Sequence, residues 1–530
     1  MVSNRSPSRP SVMQYRDVPD ADIPRSSLNL SHGHKTTFDA GYLVPIMAHE
    51  VLPGDTCSVR LTALARMATP LHPFMDNVFM NTFFFFVPNR LLWSNWEKMN
   101  GAQEDPGDSI DFLVPQIVSP AGGYGIGSIY DYLGIPTGVV GLSHNALFLR
   151  AYNLIFNEWF RDQNLQNSVT VNLGDGPDAD TDYTLLRRGK RHDYFTSCLP
   201  FPQKGTSVPL PLTGNAPVTG LGALQPYTFA GGSQSVKEAG GVSTTYTSSR
   251  AANDATSLLL VEEDAANTGH PGIYADLSAV AAATINELRQ AFQIQRLLER
   301  DARSGTRYVE VLRAHFGVTS PDFRLQRPEF LGGGQTMINV SQVPATAETA
   351  TLPQGNLAAY ATGMMSQHGF SKSFVEHGVV LGLASIRADL TYQQGLDRMW
   401  SRRTRYDYFW PALANIGEQA VLSKEIFADG SANDDDVFGY QARYEEYRGK
   451  RSLVTGEFRS AAAQSLDTWH LSEDFATRPL LNATFIEDDP PIDRVIATPT
   501  EPHFLFDGYF DMKCARPMPV YGVPGMIDHF

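Results

Sequence analysis

Val78-Phe-Met-Asn-Thr-Phe-Phe-Phe-Phe-Val87, closed by Pro88, is the stretch that decides the fold. It falls well short of the about eighteen apolar residues that a membrane-spanning helix needs, and the proline ends it. A strand buried on both faces fits best, and such a strand belongs at the centre of a sandwich. Outward from it, short apolar runs alternate with turns: Tyr42-Leu-Val44, then Glu50-Val-Leu-Pro-Gly-Asp55 as a hairpin-like turn, then a strand from Cys57 to Met67. The 34 prolines and 44 glycines are scattered along all 530 residues, which breaks helices and favours short strands joined by turns. The class is therefore all-β, with long wandering loops.

Two segments depart from this pattern. Between Ser143 and Phe160 the residues Phe148, Ala151, Tyr152, Ile155 and Trp159 recur at three and four, as on a buried helical face that Ser143 could cap. Between Ser278 and Arg303, Ala281, Ile285, Leu288, Phe292 and Leu298 do nearly the same, with Gly305 as a stop. Both read as core helices. Residues 205–249 are rich in small residues and carry only Lys237 and Glu238 as charges, which predicts an insertion that packs outside the main sandwich and ends near Pro271. Arg5, Arg9, Arg16 and Arg25 lie among prolines and serines in a segment that cannot build a packed element alone and reads as an N-terminal arm. The divisions expected are an arm over 1–36, a main domain over 37–500 containing an insertion at 205–271, and a C-terminal arm over 501–530.

Charge and chemistry exclude more than they suggest. The net charge of −15 gives no global attraction to nucleic acid, so any such contact must be local. Cys57, Cys198 and Cys514 are far apart and form no C-x-x-C pair, so neither a disulfide framework nor a thiolate metal site is expected, and a reducing cytoplasm suits them. No signal-peptide core and no membrane-length apolar run is found. His49-Glu50 opens like a zinc-protease helix, but Pro53 stands where the second histidine belongs. The glycines from Gly122 to Gly127 lack the closing glycine of a dinucleotide loop, and Gly332-Gly-Gly334 lacks the lysine of a phosphate loop. Asp178, Asp180 and Asp182 alternate like calcium ligands until Tyr183 and Gly189 break the pattern. Asp434-Asp-Asp436 and Glu487-Asp-Asp489 read as solvated loops. No catalytic residue, metal ligand or cofactor is nominated, so an enzyme such as a β-scaffold glycosidase is disfavoured, as is a glycan-binding lectin.

Basic residues interleaved with aromatics do rise above background. Arg398 to Trp410 holds four arginines and five rings, and Arg443 to Arg451 adds Tyr444, Tyr447, Arg448 and Lys450. Cations that hold phosphates beside rings that stack bases suit single-stranded nucleic acid. Arginine on aromatics equally suits a subunit interface, and both readings stay open for these stretches and for Arg187-Arg-Gly-Lys-Arg191.

Several long strings resemble one family, the major capsid proteins of the Microviridae, in the gokushovirus branch. They are Phe38-Asp-Ala-Gly-Tyr-Leu-Val-Pro45 with Glu50-Val-Leu-Pro-Gly-Asp-Thr56, Arg66-Met-Ala-Thr-Pro-Leu-His-Pro-Phe-Met-Asp-Asn77, and Phe83-Phe-Phe-Phe-Val-Pro-Asn-Arg-Leu-Leu-Trp93 with Trp96-Glu-Lys-Met-Asn-Gly101. Leu199-Pro-Phe-Pro-Gln-Lys-Gly205, Tyr392-Gln-Gln-Gly-Leu396 and Ala515-Arg-Pro-Met-Pro-Val-Tyr-Gly-Val-Pro-Gly525 complete the set, which brackets nearly the whole chain. The resemblance implies an eight-stranded viral jelly roll with long loop insertions containing several helices. It also implies pentamers and a sixty-copy T=1 icosahedral shell around circular single-stranded DNA, assembled in the bacterial host cytoplasm and carried in the virion. The insertion would form protrusions at the threefold axes and meet a host surface receptor. A small basic internal protein would help to neutralise the genome, and a minor pilot protein would join the particle. Trp400, Arg402, Arg403 and Arg405 are the first candidates for DNA contact, with Arg5 and Arg9 behind them.

Overall fold

The apolar run is a central strand, because its two faces meet two different cores. A computed structural model describes residues 24–208, 285–318, 326–350 and 353–521, together with the backbone of short strands between 218 and 275. The main strands are β1 (Ser26–Asn29), β2 (His32–Phe38), β3 (Val44–Val51), β4 (Thr56–Met67), β5 (Val78–Pro88), β6 (Glu329–Pro344), β7 (Leu357–Ser373), β8 (Gly378–Ala388) and β9 (Phe504–Arg516). They form one antiparallel sheet in the order β1-β9-β4-β7-β6-β5-β8-β3, with β2 also paired to β9. The sheet curls into a jelly-roll sandwich with loop insertions, the fold that the sequence predicts. In β5, Met80, Phe84 and Phe86 face the core shared with β4, β7 and β9, while Phe85 and Val87 face a second core beneath a helix. Period-two alternation thus buries both sides of one strand.

The curl originates where β6 and β7 part. Residues 339–344 of β6 pair with 357–362 of β7, after which β6 turns to β5 and β7 to β4. The two arms close on each other tightly: a Cβ at Gly332 would overlap the Gly369 carbonyl oxygen, and one at Gly334 the His368 ring. A bulge near Gln367, whose φ is +66°, swings His368 between the arms, where its ring nitrogens meet Thr82 Oγ1 at 2.9 Å and Thr336 Oγ1 at 3.2 Å. Gly332-Gly-Gly334, which reads in sequence as a failed phosphate loop, is the close-approach surface of the sandwich.

Several local expectations change. The turn at Glu50–Asp55 is closed by the Asp55 N–H on the Leu52 carbonyl and by Gly54 at φ +90°, but it is no hairpin. It carries the chain from β3, at the far edge beside β8, to β4, between β9 and β7. Ser143 does not cap the first helix. It pairs with Val118 in a short ladder, and α1 (Leu147–Ile155) starts with the Asn145 side chain accepting the Leu147 N–H. Ala151, Tyr152 and Ile155 are buried as expected, whereas Trp159 is 41% exposed. The second helix, α2 (Ile285–Arg303), is no core helix in this chain. Leu288 and Leu298 are half-buried, Phe292 is 65% exposed, and Ala302 is its one fully buried side chain among those described. Ser278 and Ala281 lie outside the described residues. A further helix that sequence reading missed, α3 (Tyr308–Phe316), ends on Gly317 at φ +68°. The described residues divide into two compact units, one within 1–202 and 306–530, the other within 203–305.

Within the stretch expected as a C-terminal arm, Phe504–Arg516 forms β9, paired on both sides, and residues 522–530 lie outside the described residues. Its register overturns the reading of the cysteines. Cys514 lies directly opposite Cys57 on β4, and the two form a disulfide across 457 residues of sequence, while Cys198 is free and buried. Beside the disulfide, Arg516 donates to both oxygens of the fully buried Asp55 carboxylate, at 3.0 and 2.7 Å to one of them, and lies 3.3 Å from His49 Nε2.

Burial, then the Arg516 charge, lowers the His49 pKa to about 4, with Asp55 opposing and His32 adding to the effect. A histidine depressed in the folded state binds its proton first in the unfolded state, so stability present above about 6.5 is lost as pH falls toward 4. His49→Gln is expected to weaken that acid sensitivity, measured as the melting temperature between pH 7 and pH 4.

A candidate nucleic-acid and subunit interface

The arginine-aromatic loop is carried by a small platform. Glu418–Leu422 and Val437–Ala442 form an antiparallel pair, and Phe195, Val421, Ile426, Phe438 and Phe485 make a separate core beneath it. Two buried or nearly buried carboxylates anchor the loops above. Glu425 accepts from Arg398 at 2.9 Å, from the Tyr194 hydroxyl at 2.9 Å and from the Leu422 N–H at 3.0 Å; burial nevertheless raises its pKa. Glu446 lies 3.3 Å from Arg402 and 3.8 Å from Arg398, and accepts from Gln419 at 3.0 Å. Arg451 completes the scaffold by donating to the Glu425 carbonyl and stacking on Phe195.

The candidate residues accordingly separate into two roles. Arg402 is largely enclosed, with its guanidinium 4.2 Å from the Tyr447 ring centre and its charge matched by Glu446. Arg403 and Arg405 are exposed and make no ion pair among the described residues. Their loop is fixed by Asp407, which accepts the backbone N–H groups of Arg403 and Thr404, and those hydrogen bonds hold its carboxyl below the usual range. Arg405 lies over Trp410, whose indole N–H returns a 3.0 Å bond to the Arg405 carbonyl. Around them Trp400 is 71% exposed and Tyr406 66%, and Tyr408, Phe409 and Trp410 are also open to solvent. Behind this ridge lies a cleft of about 970 Å³ lined by Tyr392, Met399, Arg402, Tyr447, Lys450 and others. Arg5 and Arg9 lie outside the described residues.

The cluster at 187–191 is used within the subunit. Arg187 pairs with Asp489 and covers Tyr42, Lys190 pairs with Glu473, Arg191 pairs with Asp389, and Arg188 lies over Phe83, its pKa lowered by burial to about 9. These cations stitch loops to the sandwich. The glutamates that organise the ridge, Glu425 and Glu446, carry no local signature in the sequence; the only available clue was the four-residue spacing of Arg398 and Arg402.

The acidic runs are likewise committed. Asp178 is paired with the buried Arg150 and does not join Asp180 and Asp182 around an ion site. Asp434 holds Arg478, and Asp435 holds Lys424. Among the described residues, the one grouping of potential metal ligands is Asp55 with Cys57 and Cys514, whose sulfurs are consumed by the disulfide and whose carboxylate is taken by Arg516. No helix among the described residues is long and apolar enough to cross a membrane.

Comparison with known proteins gives this surface its context. The chain is 49% identical to capsid protein VP1 of Bdellovibrio phage phiMH2K, over 99% of each chain. It is 46% identical to capsid protein VP1 of Chlamydia phage 1 over 98% of each, and 36% identical to that of Spiroplasma virus 4 over 95% of this chain and 96% of the relative. These agree with the resemblance to gokushovirus coat proteins. Capsid proteins are structural, and this chain is a structural component of a virion rather than an enzyme. Residues 16–526 match the family described as capsid protein (F protein), and the chain belongs to that family of phage major capsid proteins.

Proposed function

We propose that this capsid protein assembles through pentamers into a T=1 icosahedral shell of sixty copies around a circular single-stranded DNA genome, in the cytoplasm of a bacterial host. The observation that carries the reading is the exposed ridge of Trp400, Tyr406, Tyr408, Phe409 and Trp410 around two arginines that make no ion pair among the described residues. A chain with only 19% charged residues has little reason to hold so many rings in water unless a neighbour or nucleotide bases cover them. Trp400, Arg403 and Arg405 contact DNA, and Arg402 holds the loop in shape through Glu446. The terminal segment with Arg5 and Arg9 adds local positive charge, and a small basic internal protein supplies the rest that a net charge of −15 cannot. The insertion, within the unit at 203–305, forms threefold protrusions that meet a host surface receptor, and a minor pilot protein completes the particle.

Purified protein should yield closed particles of uniform size in negative stain; a monomer at every concentration and salt would end the proposal. Replacing Arg403 and Arg405 together by alanine should leave particles intact while weakening oligonucleotide binding. Two lost phosphate contacts to a single strand reduce the slope of log affinity against log salt by roughly 1.4. An unchanged slope would assign both arginines to subunit contacts.

A further inference from the structure

We infer that the Cys57–Cys514 pair is a sealed redox latch that locks the end of β9 to the start of β4. Three strands meet at this corner. β1 pairs with residues 513–516 at the end of β9, β9 pairs with the start of β4, and the turn before β4 supplies Asp55 to Arg516. The Arg25 guanidinium spans the junction, donating to the Gly54 carbonyl, to Thr56 Oγ1 at 2.6 Å and to the Ala515 carbonyl at 3.2 Å. Arg25 therefore sits beside the end of β9 and ties it to the turn before β4.

Terminal strands fray, and β1 is only four residues long. Hydrogen bonds and ion pairs at a solvent-facing corner reclose after each opening but do not prevent it. A covalent link two residues from the end of β9 does prevent it, because the β9 end cannot leave β4 while the sulfurs are joined. Both cysteines are at most 1% exposed and belong to the central core, so a small thiol cannot reach them while the corner is closed. The latch is set before or during docking of β9 and is insulated afterwards.

Closure needs an oxidant, and a small-molecule disulfide suffices. One cysteine thiolate attacks it and expels a thiolate, leaving a mixed disulfide; the second cysteine thiolate then attacks the protein sulfur and expels the other. Two protein thiols become one disulfide, and the two protons they lose reside on the two released small thiols.

The test uses the full chain, prepared oxidised with a small-molecule disulfide or reduced under denaturant and refolded with reductant. Alkylation in denaturant should label one thiol in the oxidised form, the free Cys198, and three in the reduced form. Native dithiothreitol should reduce the latch slowly, and faster in sub-denaturing urea. Trypsin cleavage after Arg25 should rise about tenfold on reduction, and the melting temperature should fall by about 4 °C. A Cys57→Ala/Cys514→Ala variant should behave like the reduced protein, which itself carries the test if that variant fails to fold. Three labelled thiols after the oxidising treatment, rapid native reduction, or equal Arg25 cleavage in the oxidised and reduced forms would each overturn the latch.

Discussion

Gly369→Ala is expected to destabilise the folded subunit by about 3 kcal/mol or more. A methyl group at this position of β7 would overlap the Val59 carbonyl oxygen of β4 and lie 3.1 Å from Arg60 Cα, so backbone rather than a flexible side chain stands in its way. β7 cannot move off β4 without opening the core, because Phe370 beside it packs on Phe84 of the facing arm at 5.5 Å between ring centres. Overpacking a core commonly costs about 1–3 kcal/mol, and a clash with paired backbone belongs at or above the top of that range. Such a loss removes much of a domain's typical margin. The measurement is soluble yield and the urea midpoint, with Gly449→Ala as control, since a Cβ there meets nothing within 4 Å. Equal midpoints for the two variants would show that the sandwich does not depend on this close approach.

Arg150→Ala should be at least as damaging, for an electrostatic reason. Arg150 is completely buried on α1, where it donates to Asp178 at 2.7 and 2.6 Å and to the Leu92 and Gly174 carbonyls at 2.9 Å each. Asp178 also accepts the Tyr183 hydroxyl at 2.6 Å. Burial pushes the Asp178 carboxyl up, but the hydrogen bonds from Arg150 and Tyr183 outweigh it and hold the carboxyl below its ordinary value. Removing the arginine leaves a carboxylate and two carbonyls facing a cavity, and breaking a buried pair in this way costs about 3–5 kcal/mol. Replacing both partners by apolar residues, as in Arg150→Met/Asp178→Leu, should cost clearly less, because no charge is then stranded. Chemical denaturation of the single and double variants measures the difference. A double variant as unstable as the single one would mean that packing, and not the buried charge, sets the loss.

What the sequence could and could not disclose follows from the range of the interactions involved. The burial of Val78–Pro88, the alternation along Thr56–Met67 and the helix over Leu147–Ile155 were legible because periodicity is a local property, set by a strand's period of two or a helix's of 3.6. The helix ends were less so: Ser143 lies four residues before the helix in a short ladder with Val118, and the Leu147 N–H is accepted by the Asn145 side chain instead. The exposure of Phe292 shows the same limit, since an apolar stripe states that a face seeks cover but not whether this chain provides it.

The candidate site was found as a stretch and not as a set of roles. Four arginines among five rings marked 398–410, yet only the positions of Glu425 and Glu446 separate the enclosed Arg398 and Arg402 from the open Arg403 and Arg405. By itself the sequence determined that the chain is a β protein with an arginine-aromatic surface and no catalytic motif. The tertiary structure alone decided that Cys57 meets Cys514, that Gly332-Gly-Gly334 lets two arms touch, and that the basic cluster at 187–191 is spent on internal stitching. Each of those facts depends on contacts between segments that are not neighbours along the chain, and spacing within a segment holds no record of which distant segment will lie against it.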